Sequence, residues 1–172
     1  MATVRASYYG GAAAEPAGVT AETGIKFNRA DDQAGTGAPV PIPQSAGTNF
    51  SWIKNLALEV TTGGATAISN RRISMSAAAT TGLFLHFKAT TYAQPASGNK
   101  PTDDATTNGV TPSTFTAMTT STQVYDAASV SASSTGRNGS IVQVVAGVDN
   151  TYTGSPGNNT TLPTIRLTYD EA

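Results

Sequence analysis

Few side chains in this chain can do chemistry, and their spacing limits what that chemistry is. His86 is the single histidine and cysteine is absent. Acid–base or nucleophilic catalysis at a histidine needs a nucleophile and an orienting acid beside it. No spacing here supplies them. In Gly82–Lys88, His86 shares a period-2 face with Phe84 and Lys88, which predicts a half-exposed strand histidine. Acidic pairs stand at Asp31-Asp32, Asp103-Asp104 and Asp170-Glu171, with Asp149-Asn150 as a mixed case. Each offers the oxygen ligands that calcium takes. None has the alternating acids and distal Glu of a dedicated calcium loop. The favoured reading is turn chemistry, in which Asp and Asn bond their own backbone. No two acids are singled out as a glycosidase pair. Gly10-Gly11 and Gly63-Gly64 lack the lysine of a phosphate loop. Trp52 is read as core, with an exposed sugar platform as its rival. No catalytic, metal or cofactor-binding residue is expected, and no cofactor.

Composition bears on the same question. Of 172 residues 28 are Thr and 27 are Ala, and 12% are charged, against a usual ~25%. Threonine is β-branched and suits a pleated, half-exposed strand. Alanine fills much of the apolar fraction, so the expected core is thin and lies between flat layers. Net charge is −1, and the one adjacent basic pair, Arg71-Arg72, is too little to hold phosphates. Nucleic acid is not an expected partner. No apolar run approaches the ~18 residues of a membrane helix, and membrane is not expected either. Residues 1–11 lack an apolar stretch, which predicts no signal peptide.

The elements that must position these residues are short strands. Residues 1–22 show no sustained periodicity and are read as an extended N-terminal arm with one short strand at Val4–Tyr8. Residues 23–172 are read as one domain. Gly24–Asn28 predicts a short strand. Pro39, Pro41 and Pro43 make Pro39–Pro43 extended and bar it from a central strand, so a sheet edge is its expected place. Phe50–Thr61 is the strongest strand signal. Phe50, Trp52, Lys54, Leu56, Leu58 and Val60 fall on one face and Ser51, Ile53, Asn55, Ala57, Glu59 and Thr61 on the other. Ala67–Ser76, Gly82–Lys88, Phe115–Met118, Gln123–Tyr125, Ser140–Val148 and Thr164–Tyr169 are further strands. Residues 90–113 and 127–140 are read as long loops. The only helix candidate is Ser74–Thr80. The whole predicts an all-β fold, a β-sandwich of jelly-roll type with an extended arm and long loops.

Four segments carry a resemblance: Gly24-Ile-Lys-Phe-Asn-Arg29, Pro39-Val-Pro-Ile-Pro43, Gly47-Thr-Asn-Phe-Ser-Trp-Ile-Lys-Asn-Leu-Ala-Leu-Glu-Val60 and Leu167-Thr-Tyr-Asp-Glu-Ala172. They resemble small virion structural proteins of tailed bacteriophages, and the likeness runs over nearly the whole chain. It implies a non-enzymatic virion component. The capsid decoration, or cement, type fits best: a protein on the capsid exterior, bound to the major capsid protein and stabilising the shell. A homo-oligomer is expected, with a trimer as one form. Partner contacts are expected from Tyr8, Tyr9, Pro39, Pro41, Pro43 and Tyr92, because arms and extended segments can add to a neighbour's sheet edge. The alternatives are a neck, tail, baseplate or head-fibre component, and a carbohydrate-binding adhesin module.

Overall fold

The structure is a computed structural model, described over residues 1–10, 14–21, 24–28, 39–64, 67–92, 115–154 and 163–172. The described residues form strands and no helix. The strands are β1 (Thr3–Tyr9), β2 (Val19–Thr20), β3 (Thr48–Phe50), β4 (Lys54–Thr62), β5 (Ala67–Met75), β6 (Leu83–Thr90), β7 (Thr116–Ala117), β8 (Gln123–Asp126), β9 (Val130–Ser131), β10 (Gly136–Asp149) and β11 (Ile165–Glu171). One sheet runs β2-β1-β4-β10-β6-β7, with β3 also on β10. The other runs β11-β5-β8, with β9 also on β5. Every pairing is antiparallel.

β10 shows why the chain folds this way. Ile141 to Val148 are all buried, as a mainly apolar run requires of a strand covered on both faces. Its one polar side chain, Gln143, donates to Asn55 Oδ1 at 3.2 Å. Val142, Val144 and Ala146 point between the sheets. There they join Tyr8, Leu56, Leu85 and Phe87 of the first sheet and Ile73, Met75 and Tyr125 of the second. This shared layer makes the fold sandwich-like, and each large apolar side chain in it contributes roughly 1.5–3 kcal/mol. Ile141 and Val145 point to the opposite face. Ile141 packs with Tyr9 and Ala57, and Val145 with Phe50, Ile53 and Phe115.

Several expectations need correction. The single strand at Phe50–Thr61 is two strands, β3 and β4, laid end to end along β10. At the break the Ser51 N–H donates to the Ala146 carbonyl (2.8 Å) and the Ser51 Oγ accepts from the Ala146 N–H (3.0 Å). A side chain therefore replaces a backbone acceptor, and the face pattern slips by one residue. Phe50 ends up beside Ile53, and not on the Leu56 face that strict alternation predicts.

The loop expected at 127–140 also resolves differently. β9 lies within it and β10 begins at Gly136. Gly136 (φ +126°) and Gly139 (φ +82°) look like turn residues in sequence, but the register shift between Asn138 and Val142 makes this a bulge inside a long strand. Gly24–Asn28 is not a strand, although Phe27 is core and Ile25 packs against it. Ser74–Thr80 is not helical, since Ser74 and Met75 end β5.

The short strand expected at Val4–Tyr8 is present and slightly longer, but the expected arm is corrected over residues 3–9. They are not outside the domain but form β1, paired with β4 from Thr3↔Thr62 to Tyr9↔Asn55. The reason is burial: Tyr8 faces the core and Tyr9 the outer face, so both sides of the strand are covered.

Candidate functional site

Tyr8 and Tyr9 were expected at a partner surface, and each is only 2% exposed. Tyr8 fills the main core. Tyr9 lies under Gly18, where an added Cβ would come 2.8 Å from its hydroxyl. Both are covered by this chain itself, which corrects their assignment as partner contacts. Tyr92 is half-buried and packs on the Tyr9, Ala57 and Ile141 cluster. Pro39 is exposed, and Pro41 and Pro43 are half-buried. Asn49 Nδ2 ties their segment down by donating to the Pro41 carbonyl at 2.8 Å.

The other singled-out residues disperse. His86 stacks edge-on to Phe50 (centroids 6.1 Å apart) and lies tilted against Phe84 (6.3 Å). Its Nδ1 is buried without a hydrogen bond among the described residues, and burial lowers its pKa, favouring the neutral ring. Asp149 accepts from the Thr151 N–H (2.8 Å) and hydroxyl (2.6 Å), the turn role read from sequence. Asp170 takes both guanidinium ends of Arg72, each at 2.7 Å, and Asn70 Nδ2 at 2.8 Å. These donors pull its carboxyl down to about 2. Glu171 accepts from the Ala2 N–H at 2.9 Å. Asp31-Asp32 and Asp103-Asp104 lie outside the described residues. Among the described residues no group of three His, Cys, Asp or Glu could hold a metal ion. Trp52 is half-buried; its backbone N–H donates to the Asn28 carbonyl at 2.9 Å, while its indole N–H is buried without a hydrogen bond among the described residues.

Two polar clusters escape sequence reading. Arg71 is fully buried. Its guanidinium faces Asp126 at 3.3 Å, the Ala128 carbonyl at 2.8 Å, the Ile68 carbonyl at 3.0 Å and the Asn138 side-chain oxygen. Asp126 also accepts from the Ser140 and Ala128 N–H groups. Burial alone would raise its pKa, but these hydrogen bonds and Arg71 lower it on balance. This cluster ties β5 and β8 of one sheet to β10 of the other. On the outer face of the larger sheet, Glu59 sits opposite both Arg5 and Arg137 in register. It takes Arg5 at 2.7 Å and the Ser7 hydroxyl at 2.6 Å, while Arg137 pairs with Glu15. A charged residue at period 2 gives no sign of its cross-strand partner, so register alone reveals these pairs.

The longest free edge among the described residues is β11. It pairs only with β5. Thr164 and Ala172, just outside its ends, bond to Ser76 and Ala67, so the ladder alternation turns the even-numbered backbone groups toward β5. The N–H and C=O of Ile165, Leu167 and Tyr169 point away from it. Their side chains are half-buried against the core, and Thr164, Arg166, Thr168 and Asp170 stand exposed. The alternation was legible in sequence, but its place at an edge was not. Comparison with protein-family models, curated proteins and solved structures gives no match.

Proposed function

We propose that this chain is a non-enzymatic structural component of a tailed-bacteriophage virion, a capsid decoration protein that binds the outside of the major capsid protein shell and stabilises it. The observation that carries the reading is the segment resemblance around Gly24–Arg29, Pro39–Pro43, Gly47–Val60 and Leu167–Ala172. The architecture supports it. Two antiparallel sheets share one core, and the buried Arg71 cluster joins them. The chain also alternates between sheets, with β4, β6 and β10 in one and β5, β8 and β11 in the other. That alternation is what a jelly-roll-like sandwich has, and we adopt the jelly roll as the finer proposal. Exposed Pro39 and half-buried Pro41 and Pro43 remain partner contacts in this reading, together with Tyr92. They lie on extended or strand-flanking backbone suited to shape-based binding. A homo-oligomer on the capsid belongs to the same proposal.

The test is the position and copy number of the chain in intact particles, by quantitative mass spectrometry and cryo-electron microscopy. A copy number near that of the major capsid protein, and particles that break at lower temperature when the chain is missing, are the expected results. A handful of copies per particle moves the protein to the neck, tail, baseplate or head fibre. Absence from particles, with glycan binding lost on replacing Tyr92 or Tyr152, leaves the adhesin alternative.

A further inference from the structure

We propose that β11 is a self-association edge: a second copy of this chain adds its own β11 antiparallel, about a two-fold axis through Thr168. The proposal concerns the isolated chain and does not depend on the virion reading. Edge strands are usually blunted by shortness, proline, bulges or inward charges. The other described edge strands are shorter: two residues each in β2, β7 and β9, three in β3 and four in β8. β11 has seven residues and no proline. The bulge facing it belongs to β5, where Asn70 (φ +46°) supplies the extra residue between the Thr168↔Arg72 and Asp170↔Ser69 pairs. β11 itself therefore stays regular.

The register follows from which groups point outward. Odd-numbered backbone groups face the free edge, so a partner strand must pair odd residues with odd. Thr168 on the axis does this. Leu167 meets Tyr169 of the second copy and Tyr169 meets Leu167, giving about four backbone hydrogen bonds. On the exposed face the same register sets Arg166 opposite Asp170 of the second copy, twice by symmetry. Arg166 is exposed and makes no ion pair among the described residues. Asp170 offers the matching vacancy. A carboxylate has about four acceptor sites, and Arg72 and Asn70 fill three. The charge pattern of β11 is thus self-complementary, which selects a second copy as the occupant. Opposite charges facing across a strand pair also favour this register over a slipped one. A single added strand is a small interface, so the dimer is weak, with Kd in roughly the micromolar to millimolar range.

The chain has no cysteine, so Thr168→Cys tests the axis directly. Residue 168 would face its copy in a non-hydrogen-bonded pair, about 4.5 Å apart at Cα, within disulfide reach. The side chain is exposed, so the fold tolerates the change. Oxidised dimer should form at least about tenfold faster than with Thr80→Cys, an exposed control in a turn. Adding Arg166→Glu to Thr168→Cys sets a carboxylate against Asp170 and should slow the crosslink about tenfold, with the thermal melt of the reduced protein unchanged. Sedimentation of the unmodified chain should show a monomer–dimer equilibrium. Crosslinking no faster than the control, indifference to Arg166→Glu, or a monomer or trimer alone at all concentrations up to about 1 mM would each overturn the proposal.

Discussion

The guanidinium of Arg71 occupies the space that a side chain on residue 139 would need. A Cβ added to Gly139 would lie 2.4 Å from both Cζ and Nε of Arg71 and 2.6 Å from Oδ2 of Asp126. Gly139 also has φ +82°, a left-handed conformation that costs other residues about 1–3 kcal/mol. The β10 bulge thus serves a buried ion pair carried by the other sheet. Gly139→Ala should destabilise the protein by about 3 kcal/mol, from backbone strain and displacement of the guanidinium. Urea unfolding measures it, and a loss within about 0.5 kcal/mol of zero contradicts the account.

Tyr9 has a buried hydroxyl with no hydrogen bond among the described residues. Burial, with Glu59 nearby, pushes its pKa up to about 12. Removing an unsatisfied buried hydroxyl removes a desolvation penalty of about 1–3 kcal/mol. Tyr9→Phe is therefore expected to be neutral or stabilising in chemical denaturation. A loss of more than about 1 kcal/mol would reveal a hydrogen bond that this geometry lacks.

Ser51 holds the junction of β3 and β4 through the Ala146 N–H, which donates to its Oγ at 3.0 Å. Both residues are buried. Ser51→Ala leaves that N–H unsatisfied and should cost about 1–3 kcal/mol, while Ser51→Thr keeps the acceptor. Amide hydrogen exchange should show the Ala146 N–H losing protection in the alanine variant, with Val142 and Val144 changing less.

Asp170 predicts a specific acid response. Its carboxyl titrates near 4 in the unfolded chain and at about 2 when held by Arg72 and Asn70. Between those values the unfolded state binds more protons, so stability rises with pH. The contribution is present above about pH 4 and disappears as pH falls through 2. Asp170→Asn should melt below the parent protein at pH 6 and together with it at pH 2. A residual acid slope should survive in the variant, because Asp126 is also lowered. Equal gaps at both pH values would exclude the mechanism.

The β elements were legible because alternation is local. Ile73 and Met75 were read on one face and both enter the main core, and Ile165, Leu167 and Tyr169 turn inward as their spacing requires. Reading failed where a strand departs from period 2. The Ser51 junction and the Gly136–Gly139 bulge each insert an irregularity whose signature resembles an ordinary strand or a turn. It failed again at Tyr8 and Tyr9: a short strand was expected at Val4–Tyr8, but its place in the main sheet, with both tyrosines buried, was not. Their burial depends on β4, which lies about fifty residues further on.

By itself, the sequence determined the class of the fold and the character of its surface. Period-2 apolar spacing can be satisfied only by strands, and threonine fills outward positions such as Thr61, Thr164 and Thr168, all exposed. Scarce charge and absent cysteine follow from composition alone. Only the tertiary structure decided which strand is an edge, that Arg71 is buried against Asp126, and that Glu59 lies between Arg5 and Arg137. Those facts depend on register and bulges set by pairing between distant segments, where a shift of one residue moves every side chain to the opposite face.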